Sequence, residues 1–143
     1  MIRSSLIAST LLAVCLSVAL PLHSPPLAQS ASNVELPSGE FKKKKRRLKG
    51  TWKIVEKNGQ AFIAFGEDFR AARGPDLKIF LSPTAFADVN GKNAINGSLN
   101  LGLLQSTKGA QEYKIPEDAN LSDFKSVLVH CEAYEVLWGG ADL

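Results

Sequence analysis

The residue with the most distinctive chemistry in this sequence is Cys131, which lies in an apolar stretch close to the C-terminal end. A cysteine thiolate can exchange electrons, attack an electrophile or ligate a metal, so Cys131 is a candidate redox or cofactor-binding residue. The alternative is a small buried hydrophobic residue, because Cys131 shares one face of a predicted strand with Val127 and Val129. The strand pattern alone favours this second interpretation.

His130 precedes Cys131, but the two residues do not form a metal-ligand pair. Adjacent residues of a strand point to opposite faces, so their side chains converge only at a bulge. We therefore expect His130 to be a surface or hydrogen-bonded residue, and the sequence predicts no metal site and no hydrolase or transferase constellation. Two adjacent acidic pairs are interpreted as solvated loop ends: Glu67-Asp68 and Glu117-Asp118. The sequence favours a protein that is not an enzyme, with a redox thiol as the alternative.

A run of six basic residues is the second feature with functional potential, and seven of the 17 basic residues lie between positions 42 and 49. Such a run attracts anionic lipid, polysaccharide or nucleic acid. It is also typical of an exposed edge strand, where lysines discourage pairing with another sheet. We favour the edge strand and keep polyanion binding as the alternative. The six residues are Lys42, Lys43, Lys44, Lys45, Arg46 and Arg47.

Residues 1–30 are predicted to form a secretory signal peptide. Residues 6–20 carry no charge and precede a proline-rich segment with small residues, so cleavage is expected after Ser30 or Ser32. Lipid attachment at Cys15 is disfavoured, because the residue before it is bulkier than lipidation motifs require. We therefore expect an exported protein, periplasmic or secreted, with no membrane span after cleavage and no nucleic-acid partner. Its single remaining cysteine would exclude an internal disulfide.

The rest of the chain is predicted to be a short polar tether over residues 31–38 and one all-β domain over residues 39–143. Short stretches rich in β-branched and aromatic residues recur between turn signals, and no helical periodicity is sustained. Seven or eight antiparallel strands in a domain of this size indicate a two-sheet β-sandwich. The predicted strands span residues 50–57, 60–69, 77–81, 99–104, 110–115, 125–131 and 134–138, with a helical turn within 116–124.

Several short motifs, taken in order, resemble the DM-thirteen domain, also called the electron-transfer DM domain, over about residues 39–143. The first two are Gly74-Pro75-Asp76-Leu77, which leads into a strand, and Leu101-Gly102. The others are Gln111-x-Tyr113-x-Ile115-Pro116 and Ser126-Val127-x-x-x-Cys131-Glu132-x-Tyr134-x-Val136-x-Trp138-Gly139. His130 departs from the aromatic residue that is common before the family's cysteine, and Tyr134 and Trp138 stand where phenylalanine is usual.

The resemblance implies an exported β-rich module in which Cys131 takes part in redox chemistry, either as a bare thiol or by holding a prosthetic group such as haem. Tyr134 and Trp138 would then help to wall a haem slot, and the partner would be an envelope redox protein or an anionic envelope polymer. We expect a partly accessible thiol and no tightly held haem. The alternative function is a noncatalytic envelope-binding or structural module in which Cys131 is buried.

Overall fold

A computed structural model describes residues 35–143 of the chain. The predicted signal peptide, its cleavage sites and Cys15 lie outside these residues. Helical structure in the described part consists of three short 3-10 turns, at Phe86–Asp88, Leu121–Asp123 and Glu132–Tyr134. None of these turns is long and apolar enough to cross a membrane.

The described strands form two antiparallel sheets that enclose a common core, which confirms the predicted all-β sandwich. The strands are β1 Ser38–Glu40, β2 Lys42–Lys43, β3 Leu48–Lys49, β4 Thr51–Lys57, β5 Gln60–Phe65, β6 Arg70–Ala71, β7 Leu77–Ser82, β8 Leu99–Leu103, β9 Gln111–Lys114, β10 Ser126–Cys131 and β11 Val136–Asp142. Eight of these strands have three or more residues. One sheet has the order β1-β4-β5-β9 and the other β2-β11-β10-β7-β8, while β3 and β6 make a separate two-stranded ladder.

The hairpin between β4 and β5 turns at Asn58-Gly59, as predicted. Both residues have positive φ, 52° and 76°, which is the geometry of a two-residue turn that matches the twist of the flanking strands. Two predicted boundaries are wrong. The strand expected over 60–69 ends at Phe65, because Gly66 to Phe69 form a turn. The strand expected over 134–138 begins only at Val136 and continues to Asp142.

The inter-sheet core is built around a group of aromatic rings. Phe65 contacts Phe41, Phe69 and Tyr113, with ring centroids 4.8, 4.8 and 5.2 Å apart. On the opposite sheet, Ile79 of β7 is fully buried, as the alternation of its strand predicts. These contacts between two hydrogen-bonded sheets give the domain a large apolar core without a disulfide among the described residues.

The five-stranded sheet is also covered on its outer face, where a surface or hydrogen-bonded His130 was expected. The loop between β7 and β8, with its 3-10 turn at Phe86–Asp88, packs there over a second, smaller core. As a result, every residue of β10 is buried, on both faces. The smaller core consists of Phe80, Phe86, Val89, Ala94, Leu128 and Leu137.

Bulges interrupt two ladders of this sheet. In β8, Leu101 is the extra residue and Gly102 has a φ of 109°, which explains why the Leu101-Gly102 motif needs a glycine. In β11, Val129 pairs with Gly139 and His130 pairs with Leu137, so Trp138 is the extra residue. A bulge re-aims the side chains around it.

Candidate functional site

Cys131 is the last residue of β10 and is fully buried in the core between the sheets. It lies directly opposite Val136 of β11 and Leu77 of β7 in the two neighbouring strands. All three residues pack in the inter-sheet core, so the thiol is enclosed from both sides. The expectation of a partly accessible thiol is therefore wrong: Cys131 is 0% exposed.

His130 lies on the opposite face of β10, against the smaller core, so the prediction that it does not converge with Cys131 is confirmed. Its ring packs edge-on against Phe80, with centroids 6.0 Å apart, and it is only 1% exposed. The expectation of a surface or hydrogen-bonded histidine is wrong, because the loop between β7 and β8 covers this face and Nδ1 has no hydrogen-bond partner in the described structure.

The environment of His130 favours the neutral imidazole. Burial lowers its pKa below the usual value, because the charged form loses solvation. Nearby carboxylates offset part of this shift by favouring the protonated form: those of Glu132, Glu135 and Asp76.

The turn that follows Cys131 is tied to Asp76. The Glu132 amide donates to the Asp76 carbonyl at 3.3 Å, and the Ala133 amide donates to Asp76 Oδ2 at 3.2 Å. Lys78 forms an ion pair with Glu132 and lies 3.5 Å from Asp76 Oδ1. Its pKa is raised, chiefly by the hydrogen bond to Glu132. These contacts hold the exposed turn that directly follows Cys131 in the sequence.

A cleft of about 430 Å³ opens on the surface beside this turn, and we call it the Arg–Trp cleft. The Trp138 indole lines it and donates through Nε1 to the Ala72 carbonyl at 2.9 Å. The Arg46 guanidinium lies 5.9 Å from the indole centroid, within cation–π range. Gly74 packs so closely on the indole that a Cβ there would lie 2.7 Å from it, which accounts for the glycine of Gly74-Pro75. The lining residues are Arg46, Ala72, Arg73, Gly74, Pro75, Tyr134, Val136 and Trp138.

The cleft and the thiol are separated by one layer of side chains. Val136 lines the cleft and is also the register partner of Cys131, whereas Cys131 itself does not reach the cleft surface. Strand neighbours in such a pair have Cβ atoms about 5 Å apart. The thiol therefore lies directly behind a wall of the cleft.

Haem ligation by Cys131 does not fit this arrangement. A thiolate ligand needs an open slot on its own side for the iron and the macrocycle. Leu77 and Val136 fill the positions on both sides of Cys131, and its exposed area is zero. Tyr134 and Trp138, which were predicted to wall a haem slot, do line the same cleft. The cleft does not extend to the sulfur of Cys131.

The six basic residues do not form one continuous patch. The prediction of an edge strand is confirmed for Lys42–Lys43, because β2 pairs only with β11 at the end of its sheet. Lys44 points to the smaller core, where Nζ donates to the Ala87 carbonyl at 3.0 Å. Arg46 instead points to the Arg–Trp cleft. All six residues are exposed, and polyanion binding by Lys42, Lys43, Lys44, Lys45, Arg46 and Arg47 stays a prediction.

Sequence reasoning missed Arg73 and Arg46 as members of one site. The two residues are distant in sequence, and β11 brings them together by carrying Trp138 to Ala72. The Gly74-Pro75 motif was the available signal, since a glycine before a proline marks a tight approach of the backbone.

Comparison with known proteins places this fold in a family. No curated protein and no solved structure matches the chain. A family model described as Electron transfer DM13 matches residues 40–143, which includes all strands from β2 to β11 and Cys131. This match confirms the resemblance carried by the ordered motifs, and the chain belongs to the Electron transfer DM13 family.

Proposed function

We propose that this protein is an exported, redox-linked accessory module whose reactive group is the Cys131 thiol. Membership of the Electron transfer DM13 family supports a redox-related role. The observation that carries the assignment to Cys131 is its position: it ends β10, directly behind the wall of the Arg–Trp cleft and before an exposed turn. The thiol becomes reactive when this turn opens and Val136 moves aside.

The chemistry of this proposal is thiol–disulfide exchange with a partner of the cell envelope. The Cys131 thiolate attacks one sulfur of a partner disulfide, the partner's S–S bond breaks, and a mixed disulfide forms. The second partner sulfur leaves as a thiolate and takes up a proton. Cys131 is the one cysteine among the described residues, so a further thiolate of the partner attacks the mixed disulfide, forms a new disulfide within the partner and releases the Cys131 thiolate. The net reaction is a rearrangement of the partner's disulfides.

The test measures the reaction of the native protein with a small disulfide reagent, with Cys131→Ser as the blank. Asp76→Asn weakens the contacts that hold the turn, and we expect it to accelerate the reaction by about tenfold, the equivalent of one lost hydrogen bond. Asp68→Asn is the matched control, because Asp68 also accepts from a backbone amide, that of Thr51 at 3.0 Å, which begins β4 in the other sheet.

Each rate is compared with the free energy of unfolding of the same variant. A faster reaction in Asp76→Asn than in an equally destabilised control supports local opening at the turn. Equal rates at equal stability would mean that the thiol reacts only after global unfolding, and the redox proposal would fail.

The second candidate is a noncatalytic envelope-binding module in which Cys131 is a structural residue. The complete burial of the thiol favours it, and the exposed basic run provides a binding surface. Replacing the four lysines of that run by glutamine should weaken binding to heparin or anionic vesicles and flatten its salt dependence. Unchanged retention on an anionic matrix would eliminate this function, whereas increased aggregation would assign the lysines to protection of the sheet edge. The four residues are Lys42, Lys43, Lys44 and Lys45.

A further inference from the structure

We propose that the Arg–Trp cleft binds a carboxylated sugar ring, namely a uronic acid unit of an acidic polysaccharide. The cleft has the volume of a small-ligand site, about 430 Å³, and combines two cationic side chains with an aromatic surface. The inference does not depend on the reactivity of Cys131, which is not part of the cleft surface.

The first argument is the state of the two guanidinium groups. Arg46 and Arg73 both line the cleft and are both exposed. Within residues 35–143, neither is within ion-pair distance of a carboxylate. A guanidinium binds a carboxylate through two parallel hydrogen bonds. The cleft therefore offers a site for a carboxylate beside the Trp138 indole, over which the Arg46 guanidinium lies.

The second argument is the aromatic surface at the rim. Tyr134 is 69% exposed, more than any other large hydrophobic residue among those described. It lies in the 3-10 turn at Glu132–Tyr134, which Asp76 holds in place. An exposed aromatic ring at the edge of a pocket is typical of a ligand-contact surface. The flat C–H face of a pyranose ring packs against such a ring while its hydroxyl groups stay at the rim.

The third argument is an acceptor in the adjoining lobe, which measures about 320 Å³ and shares Arg46 and Val136 with the cleft. Glu135 lines this lobe, and its backbone is in the left-handed region, with a φ of 51°. A carboxylate accepts hydrogen bonds from sugar hydroxyls, and Lys45 lines the same lobe as a further cation. Single-stranded nucleic acid needs a continuous basic groove. Glu135 interrupts the basic side chains at the point where it offers an acceptor for hydroxyl groups, and this favours a sugar acid over a nucleic acid.

The test measures the Kd of the purified protein for a galacturonic acid tetramer, with the neutral galactose tetramer as the matched ligand. We expect the acidic tetramer to bind at least about tenfold more tightly, because only it forms the charge-assisted hydrogen bonds. Arg46→Gln/Arg73→Gln should abolish this preference. Arg46→Lys/Arg73→Lys should lose most of it, because the charge remains but the two-pronged donor geometry does not.

Two further variants separate the cleft from general attraction to polyanions. Lys42→Gln/Lys43→Gln removes the same charge from the edge strand and should change the Kd by less than about twofold. Tyr134→Ala should weaken both tetramers by about three- to tenfold, which matches the loss of an aromatic contact. The exposed position of Tyr134 means that the fold tolerates this change.

Three outcomes would overturn the proposal. Equal losses of affinity in Arg46→Gln/Arg73→Gln and in Lys42→Gln/Lys43→Gln would show nonspecific attraction. Equal binding of the acidic and neutral tetramers would show that no carboxylate is recognised. Tighter binding of a single-stranded oligonucleotide, lost in the same arginine variant, would assign the cleft to nucleic acid.

Discussion

The two faces of β10 are equally buried but are covered by different kinds of structure. On the inner face, Val127, Val129 and Cys131 pack against a second hydrogen-bonded sheet. On the outer face, Leu128 and His130 lie under a loop that carries one 3-10 turn. Burial therefore does not measure how firmly a side chain is enclosed, since a loop cover opens more easily than a sheet.

The loop cover is tied to the rest of the domain by individual side-chain hydrogen bonds rather than by a strand ladder. The Phe86 amide donates to Asp142 Oδ1 at 2.8 Å, and Ser126 Oγ donates to the Thr84 carbonyl at 2.7 Å. Asn90 and Asn93 stabilise the turn by accepting from backbone amides within the loop. The inner face of β10 is instead covered by a second sheet, and the strands of both sheets are joined by hydrogen-bonded ladders. We therefore expect substitutions on the inner face to cost more than those on the outer face.

The largest effect is expected for Ile79→Ala on the inner face, with a loss of about 2 to 5 kcal/mol in the free energy of unfolding. Ile79 is fully buried opposite Val129, and the two sheets restrict collapse around the cavity. Denaturant unfolding measures the change. Leu103→Ala is the control, because Leu103 is 62% exposed and should cost less than about 0.5 kcal/mol. An equally small loss for Ile79→Ala would contradict the sandwich core.

The second effect is the matching substitution on the outer face. Leu128→Ala should cost about 2 kcal/mol, at the low end of the range for such changes, because the loop can settle into the space that is left. The same unfolding experiment measures it. A loss larger than that of Ile79→Ala would show that the loop is as rigid as a sheet.

The third prediction concerns His130 and pH. Its pKa is lowered in the folded protein, so below about pH 6.5 the unfolded chain binds a proton that the folded chain does not. Stability contributed by the neutral imidazole is therefore complete above this pH and is lost as the pH falls toward the folded pKa. Wild type should lose up to about 1.4 kcal/mol per pH unit more than His130→Gln in this window.

Unfolding of both proteins between pH 7 and pH 5 gives the difference directly, because the carboxylates are common to both. Parallel curves would show that the loop admits water or a proton to His130 without cost.

The smallest effect is expected for Asp142→Ala, which removes the acceptor of the Phe86 amide. We expect a loss of about 0.5 to 1.5 kcal/mol. Hydrogen exchange should accelerate in the loop around Val89 while the amides of Val127 and Val129 keep their protection. Uniform acceleration in both places would mean that the loop and the sheet open as one unit.

Much of the fold was predictable, because it depends on local patterns. The Asn58-Gly59 hairpin, the alternation around Ile79 and the strand that ends at Cys131 are visible in the sequence and agree with the structure. The burial of β10 on both faces is also visible in the sequence. Val127 and Leu128 are adjacent apolar residues that point to opposite faces, which indicates a strand covered on both sides.

The site could be predicted only in part. Cys131 was identified from its chemistry and from the resemblance, but its exposure depends on the partners Leu77 and Val136, which only the strand register defines. The Arg–Trp cleft depends on a contact between Trp138 and Ala72, 66 residues apart. No local propensity encodes such a contact, because it arises from the packing of β11 against the rest of the fold.

The bulge at Trp138 divides β11 into two half-strands with independent parity. Before the bulge, Val136 pairs with Cys131. After it, Gly139 pairs with Val129, and Trp138 is the one residue of β11 between these two half-strands that has no partner in β10. Deleting one residue at the bulge would turn this part of the ladder into a regular one, with both half-strands still in register, but would remove the local bend that re-aims the indole. A single-residue deletion at Trp138 should therefore keep β10 and β11 paired and remove the indole that lines the Arg–Trp cleft.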